Sequence, residues 1–172
     1  MTLINELPPW QNAIEIIAST CSAAQINYKI VGGTVAALYG IPTQINDIDI
    51  EMLAKDAYRF QEFFADNIIQ PVTLNDNGEH RSHYGQFSIN GVAIDVMGDL
   101  HRLENNLWVP TFSLTSATVD LNGRPIHVPW LEEEILAYIR RGKLERAGKC
   151  LPYCNQSKLL ALLQGQQPTQ VI

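Results

Sequence analysis

Two aspartates separated by one residue, a third further along and a pair of glycines ahead of them are residue types from which phosphate chemistry can be built. The pair is Asp47 and Asp49, in Asp47-Ile48-Asp49-Ile50. Side chains alternate across a strand, so both carboxylates share one face while Ile48, Ile50 and Met52 share the other, where they can pack into a core. Carboxylates about 7 Å apart along a strand repel each other, and a hard divalent cation such as Mg²⁺, which takes oxygen ligands, relieves that repulsion. Asp95, in Val92-Ala93-Ile94-Asp95-Val96-Met97, obeys the same division, with Ile94 and Val96 facing the core and Asp95 facing away. Upstream, an apolar run ends in Gly32-Gly33-Thr34. Glycines let backbone approach a phosphate closely, and a helix starting near Thr34 aims free N–H groups at an anion. Taken singly, an Asp-x-Asp is common on solvated strands and Gly-Gly is common in turns; their order and spacing make the combination informative.

The elements that must position these residues follow from periodicity. Trp10, Ala13, Ile14, Ile17, Ala18 and Cys21 recur at helical spacing after Pro8-Pro9, which predicts an amphipathic helix over about 9–25. A short strand, 26–31, ends at the glycines, and a short helix, 34–39, is closed by Gly40 and Pro42. The strand bearing Asp47 and Asp49 follows, with Glu51 on the same face but near the strand end, where it reads as solvated and is not counted as a ligand. Residues 55–67 form a helix with Ala57, Phe60, Phe63 and Phe64 toward the core. A strand over 68–74 leads to a turn at 75–78. Gln86 to Val92 then reads as strand, Asn90-Gly91 turn and strand, a hairpin that delivers Asp95. After Gly98 a loop is expected, with Asp99 and His101 near the pocket, and 102–115 carries little pattern. A second hairpin turns at Asn122-Gly123, with His127 structural. Past Pro129 comes a helix with Leu131, Ile135, Leu136 and Ile139 on one stripe, and another follows Asn155. The last residues, 165–172, read as a frayed tail.

Together the Gly-Gly-Thr after a strand, the helix, the Asp-Ile-Asp strand and the later Asp resemble the nucleotidyltransferase superfamily typified by DNA polymerase β. The likeness is to small bacterial members, such as antibiotic nucleotidyltransferases and those of abortive-infection and toxin–antitoxin systems. The resemblance implies a polymerase β-like α/β (α+β) fold, a mixed sheet of about five strands flanked by helices with the metal at an exposed edge. It implies Mg²⁺ as cofactor, two ions being possible, held by Asp47, Asp49 and Asp95, with Asp95 also helping to deprotonate the incoming hydroxyl. Gly32, Gly33 and Thr34 would hold the nucleotide phosphates. The implied activity is transfer of a nucleoside monophosphate from an NTP to a hydroxyl-bearing acceptor. The alternative is a non-catalytic relative, an antitoxin-like or regulatory binding module. Family members often carry a basic residue just before the Asp-x-Asp, whereas Pro42-Thr43-Gln44-Ile45-Asn46 has none. Arg81, His80, His83, Lys29, Arg140, Arg141 and Lys143 are substitutes by composition, each reading first as solvated surface. Arg146 and Lys149 are candidates for the basic residue that relatives place on a C-terminal helix.

Length and composition bound the rest. With 172 residues the chain fits one domain, its core spanning about 9–128 and a helical part 129–164. Hydrophobic content of 46% and charged content of 17% exclude a disordered chain, and no apolar run approaches the ~18–20 residues that span a bilayer. The N-terminus lacks the pattern of a secretory signal. Three cysteines make no disulfide framework, so a reduced, cytoplasmic protein is expected; Cys150-Leu-Pro-Tyr-Cys154 has the spacing of half a zinc site with the other half missing. His80-x-x-His83 on a strand would point its rings to opposite faces. A net charge of −6 disfavours nucleic acid as partner, although a tRNA end or a protein partner remains compatible. Five of the twelve Lys and Arg residues lie in 140–149, a run that reads as a wet helix face.

Overall fold

The computed structural model describes residues 7–113 and 117–165. The frayed tail assigned to 165–172 falls almost wholly outside them, as does the start of the N-terminal segment.

Helix α1, Pro9–Ala24, begins with proline at its first position, where the missing N–H costs nothing, and ends where Gln25 turns left-handed at φ 54°. Its buried stripe is Ala13, Ile14, Ile17, Ala18 and Cys21. Strand β1, Tyr28–Val31, leads through Gly32 into the six-residue helix α2, Gly33–Leu38. Strand β2, Asp47–Met52, alternates as its sequence predicts: Ile48, Ile50 and Met52 have no exposed surface. Helix α3 is Ala54–Phe63, and β3, Ile68–Asp76, β4, His80–Ile89, and β5, Val92–Glu104, form a meander closed by β6, Leu107–Pro110. The hairpin β7, Ala117–Leu121, and β8, Arg124–Val128, stands as a separate two-stranded sheet. Helices α4, Leu131–Arg140, α5, Leu144–Cys150, and α6, Gln156–Leu163, complete the chain. None of the described helices is long and apolar enough to cross a membrane.

The main sheet has six strands in the order β1-β2-β5-β4-β3, with β6 also on β5. It is mixed: β2 and β5 are parallel and the other pairs antiparallel. Its apolar face packs on α1 and α3 to form the main core, to which Phe60, Phe87, Ile30, Ile50 and Ile94 contribute with no exposure. A second cluster joins Ala36 and Ile41 to Leu131, Ile135, Tyr138, Ala147 and Leu159, and so ties the C-terminal helices to the segment after Gly32.

Several sequence expectations change here. The strand carrying Asp95 does not end at Gly98. It runs six residues further, because a side chain there would meet Ala54 and Ala57, and glycine lets the strand pass. The irregularity falls one residue later, at Asp99, φ 49°, where the β4–β5 register slips. Residues 102–115, patternless in sequence, include β6 and a turn through the left-handed Asn105 and Asn106. Phe63, the last residue of α3, is 56% exposed, whereas Phe64 just beyond the helix is buried. In α4 it is Tyr138, not Ile139, that is buried. Lys29, expected on the surface, is 6% exposed, with its ammonium over the Phe112 ring.

Candidate active site

The register of two parallel strands brings the aspartates together. Asp49 lies directly across from Asp95, and Asp47 lies across from Ala93 one step away on the same face. These strands occupy the interior of the sheet rather than the exposed edge expected from sequence, because β1 adds outside β2 and β4 and β3 add beyond β5. Burial and the charges of Asp47 and Asp95 push the Asp49 carboxyl up to about 6, against the pull of Arg141 and Lys143. Asp47 itself is exposed.

The glycine bend sits against this pair. Gly32 has φ +73°, and a Cβ there would collide with Oδ2 of Asp49. Only glycine allows both the backbone angle and the approach. Helix α4 holds the bend: the Tyr138 hydroxyl donates to the Gly32 carbonyl at 2.9 Å, and Glu134, one turn earlier on the same helix, is close enough for the Gly32 N–H to favour its charged form. Glu134 is 3% exposed; burial pushes it up to about 7, while Arg141, at 3.3 Å, and the Gly32 N–H pull it back. Thr34 is 1% exposed and its hydroxyl donates to the Asp47 carbonyl at 3.0 Å, tying α2 to β2. With that hydroxyl engaged, what the bend offers an anion is backbone N–H, from Gly33 and Thr34 at the start of α2.

Two residues that sequence reasoning missed complete the arrangement. Tyr84 and Gln86 on β4 each donate to Oδ1 of Asp95 at 3.0 Å. The signal was present: the Asn90-Gly91 turn sets a register in which Gln86 faces Asp95, with Tyr84 two residues along the same face. Glu51 was misread as solvated. It is partly buried, accepts from the Thr111 hydroxyl at 3.1 Å and lies across from Lys29, and burial raises its pKa. Of the positive charges considered in sequence, Arg141 and Lys143 act on Asp49, and Arg146 lies beside Gly33. Arg81 is engaged instead with Asp76 at 2.8 Å and with the Trp108 ring. His83 meets the Tyr58 hydroxyl at 3.0 Å, and Cys154 Sγ donates to the Leu151 carbonyl.

Among the described residues no three His, Cys, Asp or Glu side chains close into a metal cage. The donor set still fits a hard cation of the Mg²⁺ type. It is all oxygen, Asp47 and Asp95 already disfavour the charged form of Asp49, and Mg²⁺ is usually bound by one or two carboxylates plus substrate phosphates and water rather than by an all-protein cage. A cavity of about 540 Å³ opens elsewhere, between the end of α1, β1 and β8, and none of the three aspartates lines it. Charge, not enclosure, marks the three-aspartate cluster.

The profile of the aminoglycoside-2''-adenylyltransferase family matches residues 13–148. Among solved structures, the chain is similar to TM1012 of Thermotoga maritima, described as a candidate nucleotidyltransferase, with TM-score 0.74 and 27% identity over 85% of this chain and 92% of that one. It shares its fold with ANT(2'')-Ia in complex with adenylyl-2''-tobramycin, TM-score 0.60 at 9% identity over 92% and 97% of the two chains. The same holds for the lincosamide adenylyltransferase LnuA with lincomycin bound, TM-score 0.54 at 11% identity over 80% and 95%. No curated protein matches the sequence at a significant level.

Proposed function

The chain belongs to the aminoglycoside-2''-adenylyltransferase family, whose members transfer nucleotidyl groups, and on that premise we propose a Mg²⁺-dependent enzyme that moves a nucleoside monophosphate from an NTP to a hydroxyl on a small acceptor. The observation that carries the proposal is the pairing of Asp49 with Asp95 across parallel strands, beside a glycine bend that no other residue could form. The whole chain is taken as one catalytic unit.

In this reading Asp47, Asp49 and Asp95 are the metal ligands, and Gly32, Gly33 and Thr34 form the phosphate-side wall. Mg²⁺, when bound, supplies charge neutralisation at the transferred phosphoryl group and a lowered pKa at the attacking oxygen. Asp95 takes the proton of the acceptor hydroxyl as the new oxygen–phosphorus bond forms and the bond to pyrophosphate breaks. Arg141 and Lys143 face the leaving pyrophosphate and replace the basic residue absent before Asp47. The acidic strand face, with Glu51 beyond Asp49, favours an acceptor that carries amines as well as hydroxyls, and an aminoglycoside such as tobramycin is the first to try. Reduced cysteines and an acidic surface suit a cytoplasmic enzyme.

The test is incubation with each of four labelled NTPs, Mg²⁺ and tobramycin, lincomycin or cell extract. A labelled product is expected from the wild type and none from Asp49→Asn, and undiminished labelling by Asp49→Asn overturns the proposal. Melting curves with each NTP should shift upward as ligand binds the folded state. Flat curves with all four favour the non-catalytic binding module.

A further inference from the structure

Tyr84 and Gln86 have no role in the chemistry described so far, yet both commit a side-chain donor to the same atom. Each reaches Oδ1 of Asp95 at 3.0 Å, and among the described residues no side-chain donor is found on Oδ2. An aspartate half-exposed on a strand can satisfy both oxygens with water. Two protein donors on one oxygen instead restrict rotation of the carboxylate, since turning it would break both bonds. The surroundings are asymmetric. Across β2 stands Asp49, a like charge, and across β4 stand two neutral donors. A tyrosine hydroxyl and a glutamine amide are both neutral donors, so neither adds charge beside the carboxylate it holds.

We propose that Tyr84 and Gln86 are positioning residues that clamp Asp95 by Oδ1 and so present Oδ2 to the cation and the acceptor hydroxyl. The inference rests on the transferase reading above and assigns to β4 a part in it. The clamp acts on the acceptor end of the reaction, since Asp95 is the carboxylate that receives the hydroxyl proton, and it leaves the phosphate wall at Gly33 and Thr34 untouched. Its removal therefore lowers kcat and divalent affinity while the KM for NTP stays nearly constant.

The experiment compares wild type, Tyr84→Phe, Gln86→Met and the double variant, each close in shape to the residue it replaces and lacking the donor. Mn²⁺ binding is read by electron paramagnetic resonance, with turnover and melting temperature measured on the same preparations. Each single variant should lose about fivefold in kcat, and the double more than tenfold, as expected for hydrogen bonds to a charged group. Mn²⁺ affinity should fall severalfold with little change in melting temperature. Wild-type kcat and Mn²⁺ affinity in the double variant overturn the clamp while the transferase reading stands. So does a lowered melting temperature with unchanged affinity per folded molecule, which marks a merely structural role. A wild type that binds neither Mn²⁺ nor any NTP overturns both.

Discussion

At the level of single residues, Gly32 is the most constrained position in the site. Its backbone lies at φ +73°, and the space a Cβ would need is filled by the Asp49 carboxylate. Gly32→Ala therefore combines backbone strain with displacement of a proposed metal ligand, and should cost about 2–3 kcal/mol of stability, measured by urea unfolding, along with most of the turnover. Asp49→Asn should act in the opposite sense on stability. It removes a carboxylate that burial, Asp47 and Asp95 all disfavour in its charged form, so the melting temperature at neutral pH should rise while transfer is lost. A variant that gains stability as it loses activity is the signature of charge held at a site for function.

Among the elements, α4 and its turn into α5 do most to convert the sheet face into a site. Glu134, Tyr138 and Arg141 fall at i, i+4 and i+7, one helical stripe, and that stripe meets Gly32 and Asp49. The helix starts where its sequence says: Glu133 accepts the Trp130 N–H at 3.0 Å, and acidic residues occupy the first turn. The charge cluster at 140–149 resisted reading, because the sequence does not reveal that the chain reverses at Gly142, φ +69°, and carries Lys143 back toward the sheet. Arg141→Ala with Lys143→Ala should weaken NTP binding about tenfold, with a salt dependence smaller than that of wild type, as measured by calorimetry at two ionic strengths.

For the molecule as a whole, the buried acids set how stability responds to pH. Glu134 ordinarily titrates near 4.5 and in the folded chain near 7, so between these values the folded state holds a proton that the unfolded chain releases. Stability is then highest below about 4.5 with respect to this group and falls as pH rises through 7, by on the order of 3 kcal/mol. Glu134→Gln should flatten that decline, which chemical denaturation from pH 4.5 to 8 would record; an unchanged slope would remove Glu134 as its source. The sequence by itself determined which side of each strand is apolar, where the Asn-Gly hairpins turn and that Asp47, Asp49 and Asp95 point away from a core, because alternation and turn chemistry are local properties. It also determined, through the Asn90-Gly91 register, that Gln86 faces Asp95. Only the tertiary structure decided that β2 and β5 are parallel neighbours, that Lys29 and Glu51 are withdrawn from solvent, and that Arg141 and Lys143 come near enough to act on Asp49. Those pairings join segments some 40–100 residues apart. Periodicity fixes the faces of an element, but the choice of which faces meet belongs to packing across the whole chain.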